Sequence, residues 1–531
     1  MTDFLASTGY SGWILPALLA LLVLGALVVW VHGIVTHSDD PAEQARAAQG
    51  ARRITLAFFV AEFVLSVGLW WAFDPSTSAW QATVSVPWID MWGSRFSVGI
   101  DGMSLMMVLL TTFTMPLAVL GGWTSVKTRV HAYHAMLLLL TVGMLGVFMA
   151  LDLLFFYVMW ELMLVPMYVI IGVWGGERRI YASVKFFIYT FLGSLLMLVA
   201  VVYLGIKAGD PVTGTPNFSY DAIISTVQHS PTAALWLFGA FFMAFAVKVP
   251  IFPFHTWLPD AHVEAPTAGS VVLAALMLKL GTFGFLRFAM PLFPGAAMDP
   301  AVRMTIITLA VIGVIYGSLV ALVQPDFKKL VAYSSVAHLG MAVLGIFALT
   351  RESVQGAMMV MLSHGLSTGG LFLLIGMIYE RRHTRLFSDY GGIAKVMPIY
   401  GTLLTVITLA SIGLPGTSGF IAEFFVLIGA FKTVPWMTFV ATIGVILGAA
   451  YMLWAIQRIL YNPLDKRENE EMKDLNWREI GLMTPIIIAI LWLGLYPRPI
   501  LTRMEASTTR FVQQVEAGSS PSATAAVPGG R

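Results

Sequence analysis

Runs of apolar residues, separated by short polar segments, fill most of the chain. About 18–25 apolar residues are enough for one α-helix to cross a bilayer. Fourteen such runs can be drawn, at about 13–32, 54–73, 100–122, 131–150, 152–174, 182–206, 233–261, 266–290, 302–323, 329–349, 353–379, 398–431, 434–461 and 479–497. The pattern predicts an all-α polytopic membrane protein. The seventh run carries VPIFPFHTWLP and the twelfth IGLPGTSGF. Proline removes a helix hydrogen bond and glycine weakens the helix, so both runs should split into half-helices. Broken spans persist in a membrane only where protein or water meets the freed backbone.

Four runs place ionisable side chains where hydrocarbon should be: Glu161, Lys248, Lys279 and Glu423. An isolated charge at mid-membrane costs about 2.5–3.5 kcal/mol on insertion scales, and the charges that remain there mark ion or proton routes. Glu161 lies within the fifth run, Lys248 directly before the break of the seventh, Lys279 in the middle of the eighth, and Glu423 beyond the break of the twelfth. A nearby carboxylate keeps a buried ammonium such as that of Lys248 protonated, and moving the carboxylate away releases the proton. Each has a bland alternative. Lys248 could cap carbonyls or snorkel outward, and Glu161 and Glu423 could be protonated hydrogen-bonders. His262, His338 and His364 lie in or beside apolar runs and suit proton relay, because imidazole titrates near neutral pH. A neutral core histidine is the competing reading for each. His255, Asp260 and Glu264 read as solvated near a span end, and Lys185 as an interfacial anchor.

Composition agrees with a membrane chain: 58% of residues are hydrophobic and 11% charged, against about a quarter charged in soluble domains. There are no cysteines among 531 residues, which excludes thiolate-held iron–sulfur clusters, disulfides and thiol catalysis. No dinucleotide fingerprint, phosphate loop or catalytic triad is evident. The first run is too long for a signal-peptide core and lacks a basic leader, so it should be retained. Lys and Arg concentrate in alternate loops, such as Arg46, Arg52 and Arg53, then Arg178, Arg179 and Lys185, then Arg381, Arg382, Arg385 and Lys395. Those loops should be cytoplasmic, which puts both termini on the outer side. Only the tail, with Arg498, Arg503, Arg510 and Arg531, runs against this.

The two broken runs are five helices apart, an odd offset. Two inverted five-helix repeats are therefore expected, as in transporters whose sites sit at broken helices. The chain divides into 1–130 (helices 1–3 with an external loop), 131–290 (first repeat, helices 4–8), 291–461 (second repeat, helices 9–13) and 462–531 (cytoplasmic loop, helix 14 and tail). The tail ASTTRFVQQVEAGSSPSATAAVPGG is small and polar and is expected to be disordered.

The segments FYVMWELMLVPMYVIIGVWGGERRIYASVKFFIYT, FAVKVPIFPFHTWLPDAHVEAPTAGSVVLAALMLKLGTFGFLRF, PDFKKLVAYSSVAHLGMAVLGI and MMVMLSHGLSTGGLFLLIG resemble the antiporter-like subunits of respiratory complex I and of multisubunit sodium/proton antiporters. The resemblance covers roughly residues 90–460. Position 423 divides the family: lysine is general in the L and N chains and the antiporter subunits, glutamate in the remaining complex I branch. The resemblance implies a carboxylate–lysine pair of Glu161 and Lys248, a bridge at Lys279, a continuation through His338 and His364, and a terminus at Glu423, with His262 another member of the axis. It also implies proton pumping within an NADH:quinone oxidoreductase of the bacterial plasma membrane, beside the L and N chains. This chain would hold no cofactor; flavin, iron–sulfur clusters and quinone chemistry would belong to partner subunits. A sodium/proton antiporter subunit is the alternative.

Overall fold

The computed structural model describes residues 1–226 and 230–519. Among the described residues there are fourteen helical spans: α1 Tyr10–Val35, α2 Pro41–Ala72, α3 Gly102–Gly121, α4 Val130–Met149, α5 Leu153–Trp174, α6 Arg179–Lys207, α7 in two pieces Pro231–Lys248 and Trp257–Glu264, α8 Thr267–Leu292, α9 Pro300–Leu322, α10 Phe327–Ala348, α11 Arg351–Arg382, α12 in two pieces Pro398–Ser411 and Ser418–Phe431, α13 Pro435–Tyr461 and α14 Trp477–Leu495. Among the described residues, thirteen helices are long and apolar enough to cross a membrane. The fourteenth span, α12, consists of two shorter apolar helices. The chain is a multi-pass membrane protein.

Both predicted breaks are present. In α7, the first half Pro231–Lys248 is followed by a turn and the short helix Trp257–Glu264. The turn is held from inside: Trp257 Nε1 donates to Val247 O at 2.9 Å, and Val249 N donates to Phe245 O at 2.8 Å. In α12, Pro398–Ser411 and Ser418–Phe431 flank a turn in which Gly413 and Gly416 have φ of +75° and +92°. Glycine adopts that left-handed backbone without the Cβ clash other residues meet.

Burial sorts the helices into a centre and a rim. The most apolar windows of α8 and α11 are wholly enclosed by protein, and that of α10 nearly so. Rim helices expose apolar side chains, among them Val199 on α6, Trp236 on α7 and Ile446 on α13. Exposed apolar rims around a buried polar centre are what a hydrocarbon solvent selects. The ionisable residues of α8, α10 and α11 therefore lie in the least lipid-exposed part of the molecule.

Two features depart from the sequence reading. The loop between α2 and α3 is an antiparallel hairpin, β1 Gln81–Ile89 and β2 Ser94–Ile100, turned at Gly93 with φ +63°. The tail expected to be disordered is helical as far as it is described: α15 spans Arg498–Ser519. Residues 520–530 of that expectation lie outside the described residues. The helix forms because one face carries Ile500, Met504, Phe511 and Val515, all buried, at the i, i+4, i+11, i+15 spacing of one face of an amphipathic helix. It packs across the ends of other elements. Gly102 N donates to Ser507 Oγ at 2.9 Å, Arg503 bonds Trp70 O at 3.1 Å, and Arg510 bonds Ser78 O at 2.9 Å.

Candidate functional site

Glu161 owes its position to a local fault in α5. Asp152 caps the helix start, its carboxylate accepting from Leu154 N and Phe155 N at 3.0 and 2.9 Å. Proline at 166 cannot donate to the carbonyl four residues back, and the helix is interrupted at Met163 between Leu162 and Leu164. Glu161 sits at this fault, near the hydroxyls of Tyr157 and Ser194 and within electrostatic reach of Lys248. Its Oε1 is buried without a hydrogen-bond partner. No ion pair within 4.0 Å joins it to Lys248.

Lys248 is the last residue of the first α7 half and is 2% exposed. Its Nζ lies 5.5 Å from the Trp160 ring and 5.6 Å from the Phe186 ring. Aromatic faces attract a cation without giving it a proton acceptor. Glu161 and Lys248 thus interact electrostatically without an ion pair within 4.0 Å.

Lys279 and Glu423 end a tighter arrangement. A wide π-helical turn at Leu273–Met277 precedes Lys279 on α8, and such turns free backbone groups. The Lys279 ammonium donates to Ala274 O and lies 2.7 Å from His364 Nδ1 on α11. The rings of His364 and His338 meet edge-to-face with centroids 5.6 Å apart. His338 Nδ1 on α10 is 3.3 Å from Glu423 Oε1 on the second half of α12. Four sequence-predicted residues from four helices form one chain of neighbours. Nε2 of both histidines is free of hydrogen-bond partners. Two small cavities of about 20 and 10 Å³ flank the His338–Glu423 contact, and Ser411 lines both.

His262 stands beside this chain and not in it. Its ring stacks flat on Phe372, centroids 4.8 Å apart, and neither ring nitrogen has a partner. Lys185 does more than anchor an interface: its Nζ pairs with Asp260 at 2.7 Å. His255 is buried at the α7 break and packs on Phe252 and Tyr316.

Sequence reasoning missed several buried polar residues. Lys328 sits in the short polar stretch PDFKK between two apolar runs, where a solvated loop charge would be expected, yet it is 8% exposed and caps the end of the second α7 half, donating to Ala265 O at 2.6 Å. It lines a cavity of about 850 Å³ that also touches Arg52, Glu264, Phe372, Glu380 and Arg385. Phe372 is the ring that carries His262. Glu62 on α2 is fully buried, both carboxyl oxygens without partners. Asp101 and Arg287 form a buried ion pair at 2.6 Å. The signal for Glu62 and Arg287 was available: each is one charge inside an apolar run.

A family model described as "NADH:quinone oxidoreductase/Mrp antiporter, TM" matches residues 150–448, more than half of the chain. The chain belongs to this family. It is 43% identical to NADH-quinone oxidoreductase subunit M of Rhodobacter capsulatus over 514 residues, covering 95% of this chain and 97% of the relative. It is also 43% identical to NADH-ubiquinone oxidoreductase chain 4 of Arabidopsis thaliana, covering 87% and 92%. Among solved structures, a chain of respiratory complex I from Thermus thermophilus superposes with TM-score 0.79 at 33% identity, covering 93% of this chain and 99% of that one. A chain of the Mrp complex from Dietzia sp. DQ12-45-1b superposes with TM-score 0.77 at 20% identity, which shows a shared fold. The matched family region contains all seven residues singled out from the sequence.

Proposed function

We propose that this chain is a proton-pumping membrane subunit of an NADH:quinone oxidoreductase, of the subunit M type. The observation that carries the mechanism is the chain Lys279–His364–His338–Glu423, enclosed within the bundle and built of groups that each take up and give up a proton. A change in the separation of Glu161 and Lys248 would alter the charge that Lys279 feels. A proton then moves from Lys279 to His364, from His364 to His338, and on to Glu423. Moving one charge against 100 mV takes about 2.3 kcal/mol, a cost that electron transfer in partner subunits would supply.

The remaining assignments follow from this reading. The partners are other complex I membrane subunits, with the L and N chains as neighbours. Flavin, iron–sulfur clusters and quinone chemistry belong to partner subunits. The inverted repeats are helices 4–8 and 9–13, and the loop charges place both termini outside the bacterial plasma membrane. The 850 Å³ cavity over Phe372 and Lys328 lies on the cytoplasmic side in that orientation and brings water towards His262.

The test is proton pumping by the assembled complex in proteoliposomes, scored as protons moved per NADH oxidised. Lys279→Ala should lower that ratio, and an unchanged ratio would defeat the proposal. Affinity purification of the chain should bring down flavin- and cluster-bearing subunits. An intact assembly lacking them would favour the antiporter reading instead.

A further inference from the structure

The second charged group on α8 has a position that the path from Lys279 to Glu423 leaves unused. Lys279, Phe283 and Arg287 follow one another at four-residue intervals on α8, with Arg287 inside a second π-helical turn, Phe285–Ala289. Arg287 stands about 12 Å along the axis from Lys279, at 1.5 Å per residue. Both are buried. Phe283 lies between them, its ring packed edge-on against Phe148 of α4 at 5.2 Å and under the Arg287 guanidinium at 5.2 Å.

Beyond Phe283, Arg287 is held at the start of α3. Its guanidinium pairs with Asp101 at 2.6 Å and donates to Ser104 Oγ at 2.9 Å. Trp80, before the hairpin, covers it at 4.4 Å. The far edge of Trp80 donates from Nε1 to exposed Asp221 at 3.3 Å. The partly exposed Trp80 ring thus covers the Arg287 guanidinium of the pair, on the face that the loop charges mark as outer. A pair needed only for stability is costly here, because apolar residues often replace buried ion pairs without loss.

We propose that Asp101 and Arg287 form a second, outward exit for the proton on Lys279, a branch beside the transfer to His364 and Glu423, with Phe283 as its inner barrier and Trp80 as its outer lid. This rests on the proton role of Lys279 given above. When the Phe283 ring swings aside, water links the two sites. The N–H bond of the Lys279 ammonium breaks, and an O–H bond forms on Asp101 as its contact with Arg287 parts. Arg287 stays charged throughout. Asp101 then gives its proton to outer water past Trp80 and re-forms the pair, while the neutral Lys279 amine becomes free to take the next proton.

Phe283→Ala tests the barrier in the assembled, reconstituted complex. With no NADH present and a pH gradient imposed, its passive proton conductance should rise several-fold over wild type. The added substitution Lys279→Ala should abolish that leak. A Phe283→Ala complex as tight as wild type, or a leak that survives Lys279→Ala, overturns the proposal. Asp101→Asn should lower the protons moved per NADH, and a wild-type ratio also overturns it. If Asp101→Asn does not assemble, the Phe283→Ala pair of measurements decides. Normal pumping in Lys279→Ala alone would defeat the underlying path. Lost pumping there beside a tight Phe283→Ala complex would defeat only the branch.

Discussion

The Lys279 ammonium lies 2.7 Å from His364 Nδ1 inside a helix pair closed to lipid. A charged lysine can only donate, so Nδ1 must accept and the ring proton must sit on Nε2. That nitrogen has no partner, and the ring meets His338. A proton taken at one side of the imidazole can thus leave from the other. His364→Gln keeps an acceptor for Lys279 but cannot take up a proton. We expect assembly to survive and protons moved per NADH to fall, measured with a pH-sensitive dye in proteoliposomes. An unchanged ratio would remove His364 from the path.

Glu423 meets His338 at 3.3 Å. Glu423→Gln keeps the shape and removes the charge that stabilises an imidazolium. Pumping should drop strongly, and Glu423→Asp should recover part of it. Equal pumping by wild type and Glu423→Gln would contradict a terminal role for the carboxylate.

Glu161 and Lys248 attract one another without contact. Glu161→Gln leaves Lys248 among Trp160 and Phe186 with no counter-charge. The rate of NADH-driven proton uptake should fall, whereas a substitution at exposed Val199 on α6 should not change it. Stopped-flow dye traces of the two variants provide the comparison.

Gly419 follows the α12 break, where an added Cβ would come within 2.1 Å of Ala410 O. The obstacle is backbone and cannot swing away. Gly419→Ala should destabilise by about 1–3 kcal/mol, the usual cost of overpacking. The control is Gly481→Ala, where a Cβ meets nothing within 4 Å. Thermal unfolding of the purified complexes should show a lower Tm for the first and no change for the second.

Span count and break positions were readable because bilayer thickness fixes helix length, and because Pro250, Pro253, Gly413 and Gly416 interrupt regular backbone. The four charges were readable because each is conspicuous in an apolar run. Their grouping was less so. Lys279, His364, His338 and Glu423 come from four helices, and only packing brings them into line. His262 shares their chemistry, yet its ring is turned flat onto Phe372. α15 was missed because its stabilising contacts are distant in sequence: Gly102 with Ser507, and Trp70 with Arg503. Lys328 was hidden among loop charges, since sequence does not tell that α7 ends against it.

The two pockets beside His338 and Glu423, about 20 and 10 Å³ in volume, leave space for about one small molecule each. A site needs roughly 10–15 Å³ of such space to admit a single water. Sodium requires a cage of several oxygens, whereas a proton requires only the next lone pair. A water in either cavity would extend the run of lone pairs from His338 and Glu423 to Ser411, which lines both.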